Sequence, residues 1–132
     1  MRSDQLLKKA FILLLIIAFL DGLNEIFYLH LTTWWFDTIL HFLSGLCVTI
    51  GSISFYFSLF RVSNPSKLKI IFIGLTCALL VGLLWEIFEL YFGLTLLSDG
   101  LVYIRDTASD LIMDISGGLL GIVYCLNFLK YE

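Results

Sequence analysis

Three aspartates, Asp106, Asp110 and Asp114, follow one another at four-residue steps in the stretch RDTASDLIMDISGG. Three further pairs have a spacing of three or four: Asp21 with Glu25, Asp37 with His41, and Glu86 with Glu89 in WEIFEL. Residues three or four apart share one face of a helix, so each set can converge on a common point. Carboxylates gathered around one imidazole can hold a divalent cation, with Mg²⁺, Mn²⁺, Fe²⁺ and Zn²⁺ the suitable ions. They can also handle protons, or serve as a general base beside a metal-polarised phosphate or ester. No serine or cysteine has an obvious base, and no phosphate-binding motif is present, so metal-assisted attack is the enzymatic chemistry these residues suggest first, and whether the protein is an enzyme stays open.

The elements that must position these groups are set by composition. The chain of 132 residues is 60% hydrophobic and 14% charged with one proline, and its mean hydropathy is +0.98, outside the range of soluble domains. Residues 10–30, 36–60, 68–92 and 106–129 are apolar stretches, each able to cross about 30 Å of hydrocarbon at about 1.5 Å per helical residue. The expectation is an all-α, four-helix transmembrane bundle, a single integral membrane domain over 1–132, multi-pass in a cell membrane. KKAFILLLIIAFL has the basic flank of a signal peptide, yet GLNEIFYLHL continues the apolar run without a small-x-small cleavage site, so it is read as a retained span. Arg2, Lys8 and Lys9, then Arg61, Lys67 and Lys69, then Lys130 lie on one side, which places both termini in the cytoplasm. Trp34, Trp35 and His30 suit the external interface.

In that topology every acidic set falls in the external half of the bilayer. Glu86, His41 and Asp110 lie about four to six residues below the surface, on the order of 6 to 9 Å. A charge at the centre of a membrane helix costs about 2.5 to 3.5 kcal/mol. Eight carboxylates share the layer with only His41, Arg105 and His30 as cationic partners, so either several acids are protonated or a cation is bound. Read as a metal site, the ligands are His41, Glu86, Glu89, Asp110 and Asp114, with Asp21, Glu25, Asp37 and Asp106 as additional ligands or outer acceptors. Asp37 and Asp106 also suit helix N-caps. The competing readings are a metal-free proton- or ion-handling network, and acids that only hydrogen-bond helices together.

Gly45, Gly117, Gly118 and Gly121 are read as close-packing positions, and the same small residues could serve a homo-oligomer. Cys47, Cys77 and Cys125 have no C-x-x-C spacing and are read as packing residues. Membrane lipid is the expected surrounding partner, and nucleic acid is not expected.

With WWFDTILHFLSG, LLWEIFEL and DTASDLIMDISGGLLG in view, the chain resembles the small bacterial polytopic membrane proteins of the VanZ-like and YjdF type. The shared order is Asp-x-x-x-His-Phe opening one span, an acidic pair beside an aromatic late in the next, and a run of aspartates before a glycine-containing last span. It covers Asp37, His41, Phe42, Gly45, Glu86, Glu89, Asp106, Asp110, Asp114 and Gly118. The connection before Asp106 departs from the glycine-rich version of the YjdF type. The resemblance implies a role at the cell envelope, where the VanZ-like name is linked to glycopeptide-antibiotic resistance, and a site that binds or acts on an envelope lipid or cell-wall precursor. A non-catalytic envelope-lipid interaction protein is the remaining alternative.

Overall fold

Long runs of Leu, Ile, Phe and Ala with no internal proline favour uninterrupted helices, because in hydrocarbon each backbone N–H and C=O must be satisfied within its own segment. The structure, a computed structural model, describes residues 2–62 and 66–130. The side chains of Arg2, Ser3, His30, Leu31, Trp34 and Lys130 lie outside that description, and with them the interfacial reading of His30 and Trp34. Among the described residues four helices are long and apolar enough to cross a membrane: α1 (Arg2–Phe27), α3 (Trp34–Phe60), α4 (Lys67–Phe92) and α5 (Leu101–Lys130), with the short α2 (Leu29–Thr32) joining α1 to α3. The protein is an all-α, multi-pass membrane protein, with no strand among the described residues.

The ends of the helices are made by local backbone chemistry. Tyr28 (φ 53) and Arg61 (φ 47) take left-handed conformations after α1 and α3. Ser66 caps α4 by accepting from the Lys69 N–H at 3.2 Å, and Gly93 (φ 70) closes it. A 3₁₀ turn over Leu97–Asp99 leads into Gly100 (φ 58), after which α5 begins. That start is five residues earlier than the fourth span expected from hydropathy, because the apolar LVYI continues the helix beyond the aspartates. Asp106 therefore lies inside α5, and the N-cap of α3 is Thr33 rather than Asp37, which lies inside the helix. Neither aspartate is an N-cap.

α3 is the central helix, packed on α1, α4 and α5, whereas α1 is seated chiefly on α3. At the end of the bundle holding the start of α1 and the end of α5, an apolar core forms from Leu6, Ile50, Ile53, Ile70, Ile122 and Cys125. Lys9 donates to the Tyr124 hydroxyl there and stands 4.8 Å from the Phe128 ring centroid. Cys47 Sγ donates to the Ala10 carbonyl at 3.3 Å, and Thr49 Oγ1 to the Gly74 carbonyl at 3.3 Å. The buried face of α4 reads Ile70, Gly74, Ala78, Gly82 and Glu86 in four-residue steps. A stripe of small residues thus ends in a carboxylate.

Candidate functional site

Asp37 and His41 stand one turn apart on α3, facing Asp110 and Asp114 of α5. Two glycines bring the helices together. A Cβ on Gly45 would overlap the Asp114 carbonyl oxygen, with its carbon at 2.7 Å, and one on Gly117 would overlap the Phe42 carbonyl oxygen, with Leu46 N at 2.9 Å. These are backbone approaches that no residue with a side chain allows. Gly82 of α4 meets the Asp114 carboxylate from the third side, with Cγ 3.1 Å from where its Cβ would stand. Asp114 is held among three helices, and His41, Glu86, Asp110 and Asp114 are each no more than 5% exposed.

The imidazole divides its two nitrogens between different partners. His41 Nδ1 lies 3.3 Å from Asp114 Oδ2, and with the carboxylate as acceptor this nitrogen carries the proton. Nε2 lies 3.8 Å from Asp37 Oδ2 and 3.9 Å from Asp110 Oδ2, beyond hydrogen-bond reach of either. Asp37, His41 and Asp110 each present a ligand atom within 4.8 Å of the other two. Ligands on a common tetrahedral ion at bond lengths of 2.0–2.1 Å are roughly 3.4 Å apart, so a movement of about half an ångström would let this trio close on one ion. A carboxylate on the far nitrogen is also the usual way to orient a metal-binding histidine.

Glu86 adds an independent feature. Its Oε2 accepts from Thr107 Oγ1 at 2.5 Å, while its Oε1 is buried with no hydrogen-bond partner among the described residues. Glu86 is an electrostatic neighbour of Asp110, as are His41, Asp37 and Asp106. Glu89 is half-buried, accepts from Trp85 Nε1 at 2.9 Å, and has Glu86, Asp37 and His41 as charged neighbours. Asp21 lines a cavity of about 280 Å³ together with Asp37, His41 and Asp114.

Of the positions expected to gather, Asp37, His41, Asp110 and Asp114 form the centre, with Glu86 beside them. Glu89 is turned to Trp85, Asp21 borders the cavity, and Glu25 and Asp106 are exposed. Asn24 is the buried polar residue of α1 among the described residues. Gly118 packs 3.0 Å from Ala78 Cβ and Gly121 2.9 Å from Thr49 Cβ, measured from an added Cβ. Sequence reasoning missed Thr107, Thr49 and Gly82. The four-residue step Gly74, Ala78, Gly82, Glu86 was the signal that could have found Gly82; the two threonines carried none.

The family described as "Predicted membrane protein (DUF2238)" matches residues 1–131. Neither a curated protein nor a solved structure matches the chain.

Proposed function

The chain belongs to the predicted membrane protein family DUF2238, and from its buried cluster we propose that it holds a divalent cation within the bilayer, with Asp37, His41 and Asp110 as ligands. The observation that carries this reading is the convergence of three ligand atoms from two helices within 4.8 Å, next to the unpartnered Glu86 Oε1. Glu86 supplies the fourth donor, and Asp114 orients the imidazole through Nδ1. Oxygen donors with one imidazole suit Mg²⁺, Mn²⁺, Fe²⁺ or Zn²⁺. A cation also offsets carboxylates that are otherwise costly to keep charged away from water.

Relative to the ligand set expected from spacing, this assignment brings Asp37 inward, gives Asp114 an orienting part and leaves Glu89 to Trp85. The finer reading keeps the termini in the cytoplasm and the cluster toward the external leaflet, from the side on which the basic residues lie, and takes from the VanZ-like and YjdF resemblance an envelope lipid or cell-wall precursor as ligand or substrate. In that setting the ion would polarise a phosphate or ester oxygen, with one free carboxylate as general base.

The test is elemental mass spectrometry on protein purified without chelators or a histidine tag. One equivalent of a divalent metal is expected in the wild type, with loss in both His41→Ala and Asp110→Asn. Folded wild-type protein without metal would overturn the proposal and favour a metal-free network in which His41 bridges the aspartates.

A further inference from the structure

We propose that Thr107 sets which ion the cluster accepts. Its hydroxyl occupies Glu86 Oε2, leaves Oε1 as that residue's single donor, and limits the site to four donors, the number that suits Zn²⁺ and not Mg²⁺ or Ca²⁺. The inference rests on the cation reading above and narrows it to one ion.

The phase of α5 brings the parts together. Thr107, Asp110 and Asp114 stand at i, i+3 and i+7, within about 60° of one another at about 100° per residue, which is a single helix face. Each residue on that face has a different part. Asp110 offers a ligand oxygen, Asp114 Oδ2 lies 3.3 Å from His41 Nδ1, and Thr107 Oγ1 donates to Glu86 Oε2 at 2.5 Å. The working stripe of α5 therefore begins with a threonine, and the exposed Asp106 falls outside it.

These contacts from α5 take one of the two possible donor atoms of both His41 and Glu86. His41 keeps Nε2, and Glu86 keeps Oε1, which is buried with no hydrogen-bond partner among the described residues. Asp37 and Asp110 bring their Oδ2 atoms to 3.8 and 3.9 Å from Nε2. The set is one nitrogen and three oxygens, drawn from α3, α4 and α5. His41, Glu86 and Asp110 are no more than 5% exposed, so this part of the site offers no surface to a hydration shell. Ca²⁺ takes roughly six to eight oxygens, often with a bidentate carboxylate, and Mg²⁺ keeps an octahedron with several waters. Zn²⁺ is satisfied by four ligands in a tetrahedron and takes imidazole together with carboxylate. A further ligand would approach beside Asp37, whose side chain is 39% exposed and lines the cavity of about 280 Å³ together with His41. Without the Thr107 hydroxyl, Glu86 Oε2 is free to join Oε1 on the ion, and the coordination number rises. Thr107 is thus a positioning residue that acts on the ion through Glu86.

Co²⁺ is the probe, because it enters zinc sites and absorbs visible light far more strongly when four-coordinate than when six-coordinate. In chelator-stripped wild-type protein, Co²⁺ should give intense visible bands that Zn²⁺ abolishes and excess Mg²⁺ or Ca²⁺ leaves in place. Thr107→Val should weaken the bands at saturating Co²⁺ and lower Zn²⁺ affinity about 10- to 100-fold, the range for losing a group that holds a metal ligand. Thr107→Ser should restore both, and Thr107→Ala is read in the same way if the valine variant fails to fold. Weak six-coordinate bands in metal-loaded wild type would overturn the proposal and leave the cation reading standing. Wild-type bands and affinity in Thr107→Val would do the same. Folded wild-type protein that takes up neither Co²⁺ nor Zn²⁺ would overturn both.

Discussion

Replacing Gly82 by alanine separates the geometry of the cluster from its composition, since the substitution leaves every ligand in place. The added methyl would overlap Asp114 Oδ2 and stand 3.1 Å from Asp114 Cγ and 3.2 Å from Leu111 Cδ2. Oδ2 is the atom 3.3 Å from His41 Nδ1. The carboxylate cannot retreat with its backbone, because Gly45 already places α3 against the Asp114 carbonyl. The side chain must rotate away and release the imidazole. Overpacking costs about 1–3 kcal/mol, and losing a hydrogen bond to a charged acceptor about 1.5–3 kcal/mol. A destabilisation of about 3 kcal/mol or more is expected in an SDS unfolding titration. Loss of the group that orients a metal-bound histidine lowers metal affinity roughly 10- to 100-fold, readable by competition with a fluorescent chelator. Gly22 is the control, because nothing lies within 4 Å of an added Cβ there; Gly22→Ala should be neutral or stabilising by up to about 1 kcal/mol. Unchanged stability and affinity in Gly82→Ala, or equal losses in both variants, would refute the reasoning.

Two further outcomes follow from other contacts. Thr107→Val keeps the shape but removes the donor to Glu86 Oε2, so a buried carboxylate loses its partner; a loss of about 1–3 kcal/mol is expected, with Thr107→Ser restoring it in the same titration. With the termini in the cytoplasm, Lys67→Cys at the exposed start of α4 should react with a membrane-impermeant maleimide only after permeabilisation, and labelling in intact cells would reverse the proposed orientation.

The number and type of spanning helices were legible because unbroken apolar runs of membrane length allow little else. Their ends were less so. Tyr28 and Arg61 adopt positive φ without a glycine or proline to signal it, and the Gly, Ser and Asp residues before Leu101 read as a long loop although the helix resumes at Leu101. Within the site, the Asp37 and His41 spacing gave a shared face directly. Which of the three α5 aspartates would turn inward was not given by spacing, because four residues at about 100° each overshoot a turn by roughly 40°. Over Asp106 to Asp114 the stripe drifts by about 80°, enough to leave Asp106 exposed while Asp110 and Asp114 are buried. The same phase argument separates Glu86, which continues the Gly74, Ala78, Gly82 face, from Glu89, three residues on. The seating of α1 chiefly on α3 had no signature, since its apolar residues surround the whole helix.

The pairing of α3 with α5 sets a waiting time in the biosynthesis of the protein. His41 and Asp114 are 73 residues apart in the chain, and α4 is made between them. At about 5–20 residues per second of translation, His41 and Asp37 enter the membrane roughly 4–15 s before the aspartates that complete their surroundings. During that interval α3 is a helix with a carboxylate and an imidazole and no α5 to cover them. The insertion machinery must shelter it, or α3 must remain near the membrane surface, until the last helix arrives and lets the bundle close around the cluster.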